Sequence, residues 1–448
     1  MQLDAQRQKW FEAACARLDM RRMRRFNQRI AAIHSPTGKE RPLAEYLVDY
    51  VRGHGAEAAY QPMTDMSGNA SARLASSRIG PSLLLYAPID THLEGDPATE
   101  IPWVGPKLRQ DMLPIPADAP LVDDPEQLVI GLGASNPKSM VTALTEAFIA
   151  IKEAGVPLSG DLLLGFAGGG MPVNVDGGRH RGLGDGVFHM LTRGMAADFA
   201  VVMKPYNNVY YEEPGLCWFK VTVHGTMGYA GMSRDRKGFS SAIVPAARFI
   251  LAIEEWLARY PHENTVGQVA PQGWISALRS GWPEKPAFPS AATEIYIDLR
   301  CAPHLTPADV KAQFAAAVRA IVANDSGIDL SWEMCAAYPG ASTSPDNWII
   351  RSAIRGWERV EGREHGTPLP RSGQTDISTL RNLQIPTARI GWNSPPQATP
   401  PEFLEGLGGM GVSYIPDLVP ACRKILYVII DTCTRSRKDV GLTDYGQA

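Results

Sequence analysis

The sequence predicts an α/β fold: a mostly parallel sheet sandwiched by helices and interrupted by a smaller inserted α+β unit. Three observations predict it. Mainly apolar runs at 82–90, 161–170 and 197–205 each feed into a loop and are separated by stretches of helical spacing. Strands buried on both faces of a parallel sheet read this way. From Gly215 the texture changes to alternating segments, 216–225 and 292–303, as half-exposed antiparallel strands require. The chain of 448 residues also exceeds what one ordinary core sustains, so two domains are expected.

Taken in order, residues 1–30 read as helical, with Leu18, Met23, Phe26 and Ile30 near helical spacing. Ser35-Pro36-Thr37-Gly38 breaks that helix, and a second follows over 40–53. The first buried strand is 82–90, and Gly155 closes an amphipathic helix over 140–154. Glycines end the second strand, 161–170, and 197–205 is the third. Strand 216–225, helix 241–260, strand 292–303 and a helix opened by Thr306-Pro307 suggest strand-helix-strand-strand-helix-strand order, a small open sandwich. A helix near 347–361, a strand at 385–391 and a closing helix over 415–432 return to the first texture. The Pro-rich segment 111–125 and the segment 393–401 read as long loops at the carboxyl edge of the sheet, where open α/β sheets bind ligands.

Composition narrows the class. Hydrophobic residues make up 44% and charged residues 20%, as in a packed globular protein. A net charge of −3 with interspersed signs gives no footprint for nucleic acid or an anionic membrane. Six cysteines without paired spacing read as thiols of a reducing compartment. The N-terminal stretch has no signal-peptide apolar core, and its Arg21, Arg22, Arg24 and Arg25 read as a solvated helix face. A cytoplasmic enzyme or enzyme-like protein is expected, with a small molecule as substrate and neither nucleic acid nor membrane as partner.

A series of motifs then accumulates: Ser35-Pro36-Thr37-Gly38-Lys39-Glu40, Gly68-Asn69-Ala70, LLLYAPIDTHLEGD from Leu83, GLGASNPKSMVTALTEA from Gly131, HGTMGYAG from His224, Asp298-Leu299-Arg300 before Pro303, and SGQTDISTLRNLQIPTARIG from Ser372. In order and spacing the series resembles the acetylornithine deacetylase, succinyl-diaminopimelate desuccinylase and aminoacylase family of two-zinc amidohydrolases and exopeptidases. The resemblance covers nearly the whole chain. It implies a zinc-exopeptidase-like α/β domain, residues 1–213 and 338–448, and a ferredoxin-like inserted dimerisation or lid domain, residues 214–337. It also implies a homodimer, with the strand WFKVTVHG as an edge that pairs across the two-fold axis.

Two-zinc hydrolysis needs carboxylate and imidazole ligands and a general base. The family's first histidine falls on Pro88, its bridging aspartate on Asn136, and its Glu-Glu pair on Gly169 and Gly170. The acid before a proline falls on Lys204, and the late histidine near Ala398, with Glu402 following. No zinc is therefore expected as cofactor unless Asp90, His92 and Glu402 rebuild a rearranged site. The inserted domain's histidine, which in the family reaches the partner's site, falls on Tyr229, whose hydroxyl still donates.

What remains suggests catalysis by Asp90, Lys204, Lys138 and Tyr229, with Asn136, His92, Arg300, Arg371 and Asp376 binding substrate. Each has a plainer alternative. Lys204 holds an anion, stabilises an oxyanion or acts as a base, or it pairs structurally with Asp90. Asp90 is functional or a turn carboxylate. His92, two residues along an extended segment from Asp90, forms a dyad with it or merely contacts neighbours. Gly168-Gly169-Gly170 admits a ligand close to the backbone or is a turn. No G-x-S-x-G elbow occurs, and neither Cys217 nor Ser135 has a histidine at motif spacing, so a nucleophilic triad is not indicated. Three functions stay open: a metal-independent enzyme cleaving the C–N bond of a small carboxylated or cyclic amide, a non-catalytic binding protein, and a hydrolase with a rearranged metal site.

Overall fold

The computed structural model describes residues 3–104, 108–175, 179–233, 236–406 and 408–444. A seven-stranded sheet forms its larger part, in the order Glu57–Pro62, Gly68–Leu74, Leu162–Ala167, Leu83–Pro88, Phe199–Pro205, Thr387–Trp392, Val209–Tyr210. The four inner strands are mutually parallel, and the flanking ones join antiparallel. Every residue of Leu83–Pro88, Leu162–Ala167 and Thr387–Trp392 is buried, because helices cover both faces. Leu83, Leu85 and Ala87 face a core built with helices Arg41–Gly53, Lys138–Glu153, Trp348–Glu361 and Ile415–Cys433. Leu84 and Tyr86, pointing the other way, pack with helices Asp185–Met190 and Ile377–Asn382. The mostly parallel, helix-sandwiched α/β sheet is thus as the sequence predicts.

The second sheet has its own core. Its antiparallel order is Gly273–Ser280, Ala292–Cys301, Gly215–His224, Leu330–Tyr338. Helices Ile243–Asn264 and Pro307–Asn324 cover one face around Phe219, Phe249 and Phe314. Phe219 and Phe314 stack with ring centroids 4.0 Å apart, and each such buried ring contributes about 2–3 kcal/mol by transfer from water. Thr306 and Asp309 form a reciprocal capping box at the start of the second helix. Strand-helix-strand-strand-helix-strand order with this pairing is the ferredoxin-like arrangement.

Four expectations are corrected. Strand Gly215–His224 is not an edge: it is hydrogen-bonded on both sides, because its alternating apolar residues complete the middle of the sheet. The edges are Leu330–Tyr338 and Gly273–Ser280, and on the latter Trp274 and Leu278 face solvent. The N-terminal helix is two, Ala5–Cys15 and Met20–Ala31, the second started by Asp19 accepting from the Arg21 and Arg22 amides. Its arginines are not uniformly solvated, since Arg22 pairs with Glu146 and Glu153 and Arg24 is buried against Gln28 and the Gln127 carbonyl. Segment 111–125 is not one free loop: 111–115 packs against Gly95, Gly131 and Gly411, close to the loops that follow the parallel strands, while its second half leaves that edge. Gln28, Arg25 and Arg29 tie it to the Met20–Ala31 helix.

Candidate active site

Period-two alternation carries polar groups to the ends of three adjacent parallel strands. Tyr86 is in register with Val202, and Val202 with Arg389, so their side chains share one face. One step further along that face, Val202 is succeeded by Lys204, beside Gly391. A cleft of about 630 Å³ opens there, between the strand ends and the small sheet. Pro88, Asp90, His92, Asn136, Lys204 and Asp376 line one side, and Trp218, Asp298 and Arg300 the other.

Asp90 is locked in place. Its Oδ2 accepts from Thr37 Oγ1 at 2.7 Å and from the Met171 amide at 2.7 Å, and its Oδ1 from the Gly170 amide at 3.0 Å. Burial pushes its carboxyl above the ordinary range, against these hydrogen bonds. The neighbouring Gly169 amide donates to the buried Glu40 at 2.8 Å. The glycine loop therefore spends its amides on two carboxylates of the protein. A Cβ built on Gly170 would lie 2.8 Å from Pro88 Cβ, 3.0 Å from Asp90 Oδ1 and 3.3 Å from Asp376 Oδ2, so only glycine fits.

Lys204 is 8% exposed. Its ammonium makes no hydrogen bond or ion pair with any described residue, so the expected pairing with Asp90 does not form. Burial pulls its pKa down, opposed first by the charge of Asp376. Asp376 precedes helix Ile377–Asn382; Tyr86 donates its hydroxyl to Oδ2, while Oδ1 has no partner. Burial pushes this carboxyl up to about 6, and Lys204 and the Tyr86 hydrogen bond pull against it.

Other expected residues divide. His92 lines the cleft, but both ring nitrogens are buried without partners among the described residues, and neither bonds Asp90, so no Asp90–His92 dyad forms. Burial lowers its pKa to about 4. Asn136 lines the cleft, and its backbone N–H donates to the Met410 carbonyl at 3.1 Å. Arg300 is there too, with Nε and Nη2 each 2.7 Å from an Asp298 oxygen. Lys138 is not in the cleft: its helix turns it into the core, where it donates to Ser35 Oγ and the Ile89 carbonyl. Burial lowers its pKa to about 7. Arg371 contributes no wall but stacks 3.9 Å over Tyr206, which does. Tyr229 is not among the residues lining this cleft; it is 53% exposed and edge-on to Phe288. Ala398 and Glu402 are exposed and outside the lining, although Ser394 and Pro395 of the same loop belong to it.

Arg389 and Tyr86 were not singled out from sequence. Arg389, buried, pairs with buried Glu213 at 3.2 Å and lines the cleft. A lone arginine in the apolar run IPTARIG was the available signal, since a buried cation needs a partner.

The residues present do not fit a dinuclear zinc centre. Proline, two glycines and a lysine stand where donors are needed, Asp90 already accepts three hydrogen bonds, and Gly170 has no room for a side chain. Among the described residues no three His, Cys, Asp or Glu side chains converge as metal ligands, so Asp90, His92 and Glu402 are not brought together.

No family model matches the chain. Among solved structures it is similar to human carnosine dipeptidase 1 (TM-score 0.68, 12% identity, covering 96% of this chain and 99% of that one). It also resembles an M20 family metallo-carboxypeptidase from Sulfolobus solfataricus (TM-score 0.60, 14% identity, 96% and 100% covered). A third is an amidase of the hydantoinase/carbamoylase family from Burkholderia multivorans (TM-score 0.58, 13% identity, 94% and 99% covered). Identities this low establish fold alone and single out no branch, the acetylornithine deacetylase one included: the chain has the fold shared by M20-type peptidases and amidohydrolases.

Proposed function

We propose that the protein is an amidohydrolase-type enzyme that cleaves the C–N bond of a small carboxylated or cyclic amide without a dinuclear zinc site. One observation carries this reading: an ammonium without a partner among the described residues, Lys204, faces the same cleft as a carboxyl, Asp376, poised near neutrality. A general base works best with a pKa near the operating pH. The fold neighbours, named as peptidases and an amidase, support the bond class. In the proposed reaction, water attacks the amide carbonyl carbon while ionised Asp376 takes one of its protons. Lys204 donates to the carbonyl oxygen and holds the oxyanion. The C–N bond then breaks as Asp376 returns that proton to the leaving nitrogen, giving a carboxylic acid and an amine. Arg300 keeps donors beyond those facing Asp298 for a substrate carboxylate.

The test is a screen of N-acyl, N-carbamoyl and cyclic amides, with Lys204→Met and Asp376→Asn as controls and metal analysis of the purified protein. Turnover lost in both variants at substoichiometric metal is expected. About two zinc ions per chain, or turnover unaffected by Lys204→Met, overturns the proposal. Carboxylate binding without any turnover supports instead a binding protein that retains the cleft for recognition. We further propose a homodimer through residues 214–337, paired at the exposed Gly273–Ser280 edge rather than at Gly215–His224; Trp274, 62% exposed, is the residue to mutate. Six free thiols suit a reducing, cytoplasmic setting.

A further inference from the structure

The small sheet carries helices on one face only, and its open face begins at the cleft. Cys217, Phe219, Val221 and Val223 turn toward the helices, so the alternate residues Trp218, Lys220 and Thr222 lie on the open side. On the neighbouring strand the open-side row is Arg300, Asp298, Tyr296 and Glu294. Arg300, Asp298 and Trp218 line the cleft. Trp218, Asp298, Tyr296, Ala277, Arg279 and Cys335 line a second cavity of about 320 Å³. Trp218 and Asp298 are thus walls common to both. From Arg300 to Tyr296 is four residues of antiparallel strand, about 14 Å at about 3.4 Å per residue.

Three features make this second cavity a subsite rather than a stretch of bare sheet. Two aromatic side chains, Trp218 and Tyr296, sit diagonally across a strand pair, with Trp218 in register with Asp298 and Lys220 with Tyr296. The Arg279 guanidinium lies 5.8 Å from the Tyr296 ring centroid, fixing the ring's outer side. The Trp218 side chain lines both cavities, and its buried indole nitrogen has no acceptor among the described residues, a donor that a carbonyl or ether oxygen reaches when the ring shifts. The charged groups alongside are already matched: Lys220 pairs with Glu294 at 2.8 Å and Arg300 with Asp298. What the groove offers an incoming group is aromatic surface, with the Arg279 guanidinium at its wall.

We infer that this groove is an extended substrate subsite, which takes a flat aromatic group carried about 10–14 Å from the carboxylate or amide end bound in the cleft. The enzyme therefore prefers arylalkyl amides to short aliphatic ones. The inference rests on the proposed reading only in taking the occupant of the cleft to be the substrate.

Binding of hexanoate and 6-phenylhexanoate, which share a carboxylate and differ by the ring, tests it by calorimetry on the full-length protein. The phenyl compound should bind at least tenfold more tightly. Ala277→Trp, which fills the groove, should abolish that preference and leave hexanoate binding unchanged, and Cys335→Phe provides a second filling variant on a different strand. Equal affinities in the wild type, or a preference that survives both variants, overturn the subsite while leaving the amidohydrolase reading intact. Failure of both carboxylates to bind overturns the subsite together with that reading. Dissociation of a dimer by Cys335→Phe, which lies off the Gly273–Ser280 edge, assigns the groove to a second copy of the chain and also overturns it.

Discussion

Tyr86 and Asp376, 290 residues apart in sequence, are joined by a hydrogen bond from the phenol to the carboxylate beneath the cleft. Tyr86 stands on the strand next to that of Lys204, so this one bond aims the Asp376 carboxyl toward the region of the ammonium. Burial pushes the phenol well above its ordinary range, which keeps it a donor throughout the working pH range. Tyr86→Phe removes the aim and not the charge. It should lower kcat about tenfold to a hundredfold with little change in KM. A change confined to KM would show that Tyr86 serves binding instead.

The rate should depend on pH as a bell. Asp376 must be ionised to act as base, and burial holds its pKa at about 6, so kcat/KM rises as pH passes that value. Lys204 must stay protonated to hold the oxyanion, and burial lowers its pKa below the ordinary lysine range, so the rate falls again on the alkaline side, earlier than an ordinary lysine would impose. Lys204→Arg, which cannot lose its proton, should abolish the alkaline limb and keep part of the activity, whereas Lys204→Met should cost about a hundredfold or more. An alkaline limb unchanged in Lys204→Arg would remove Lys204 from the mechanism.

Asp90 is predicted to hold the loop that shapes the cleft and not to react. Its carboxylate accepts three hydrogen bonds that an amide cannot all accept, because one oxygen becomes a donor facing backbone N–H groups. Asp90→Asn should cost about 2–3 kcal/mol of stability and Thr37→Val about 1 kcal/mol. Gly170→Ala, which crowds both Asp90 and Pro88, should cost about 1–3 kcal/mol. Urea denaturation of the three variants checks this order. Wild-type stability in Asp90→Asn would show that the loop does not depend on it.

The parallel sheet was legible because strands buried on both faces read as unbroken apolar runs, as 82–90 and 161–170 do. Edge strand Gly273–Ser280 was not. A register shift between Ile275 and Ala277 and exposure of most of its residues erase the alternation that marks a strand. At the site, Lys204 and Asp376 could be placed from motif order alone, while Tyr86 was hidden inside LLLYAP. Its hydroxyl, fully buried, required a partner that no local pattern names. Lys138 was misread because position in a motif does not tell which way a helix turns a side chain. The second half of the 111–125 loop was not legible because Gln28 and Arg25, its anchors, lie more than ninety residues away.

Lys138 and Asp376 should impose opposite pH dependence on stability, and the pair provides the last prediction. Lys138 is wholly buried and its pKa falls to about 7 from 10.5, so between those values the unfolded chain binds a proton that the folded one does not. Stability from this group therefore rises with pH across 7 to 10. Asp376, 2% exposed, has a folded pKa of about 6 against 3.8 unfolded. Its contribution is fully present below pH 3.8 and is lost as pH rises through about 6, at a cost of about 2–3 kcal/mol above that. Asn at position 376 still accepts from Tyr86, so Asp376→Asn should gain about 1–3 kcal/mol over wild type at pH 8 and nothing at pH 4. Lys138→Met should flatten the stability curve between pH 7 and 9. Guanidinium denaturation of both variants at pH 4, 7 and 9 reads the two slopes separately. An Asp376→Asn variant no more stable than wild type at pH 8 would mean that Lys204 already compensates the buried carboxylate in full.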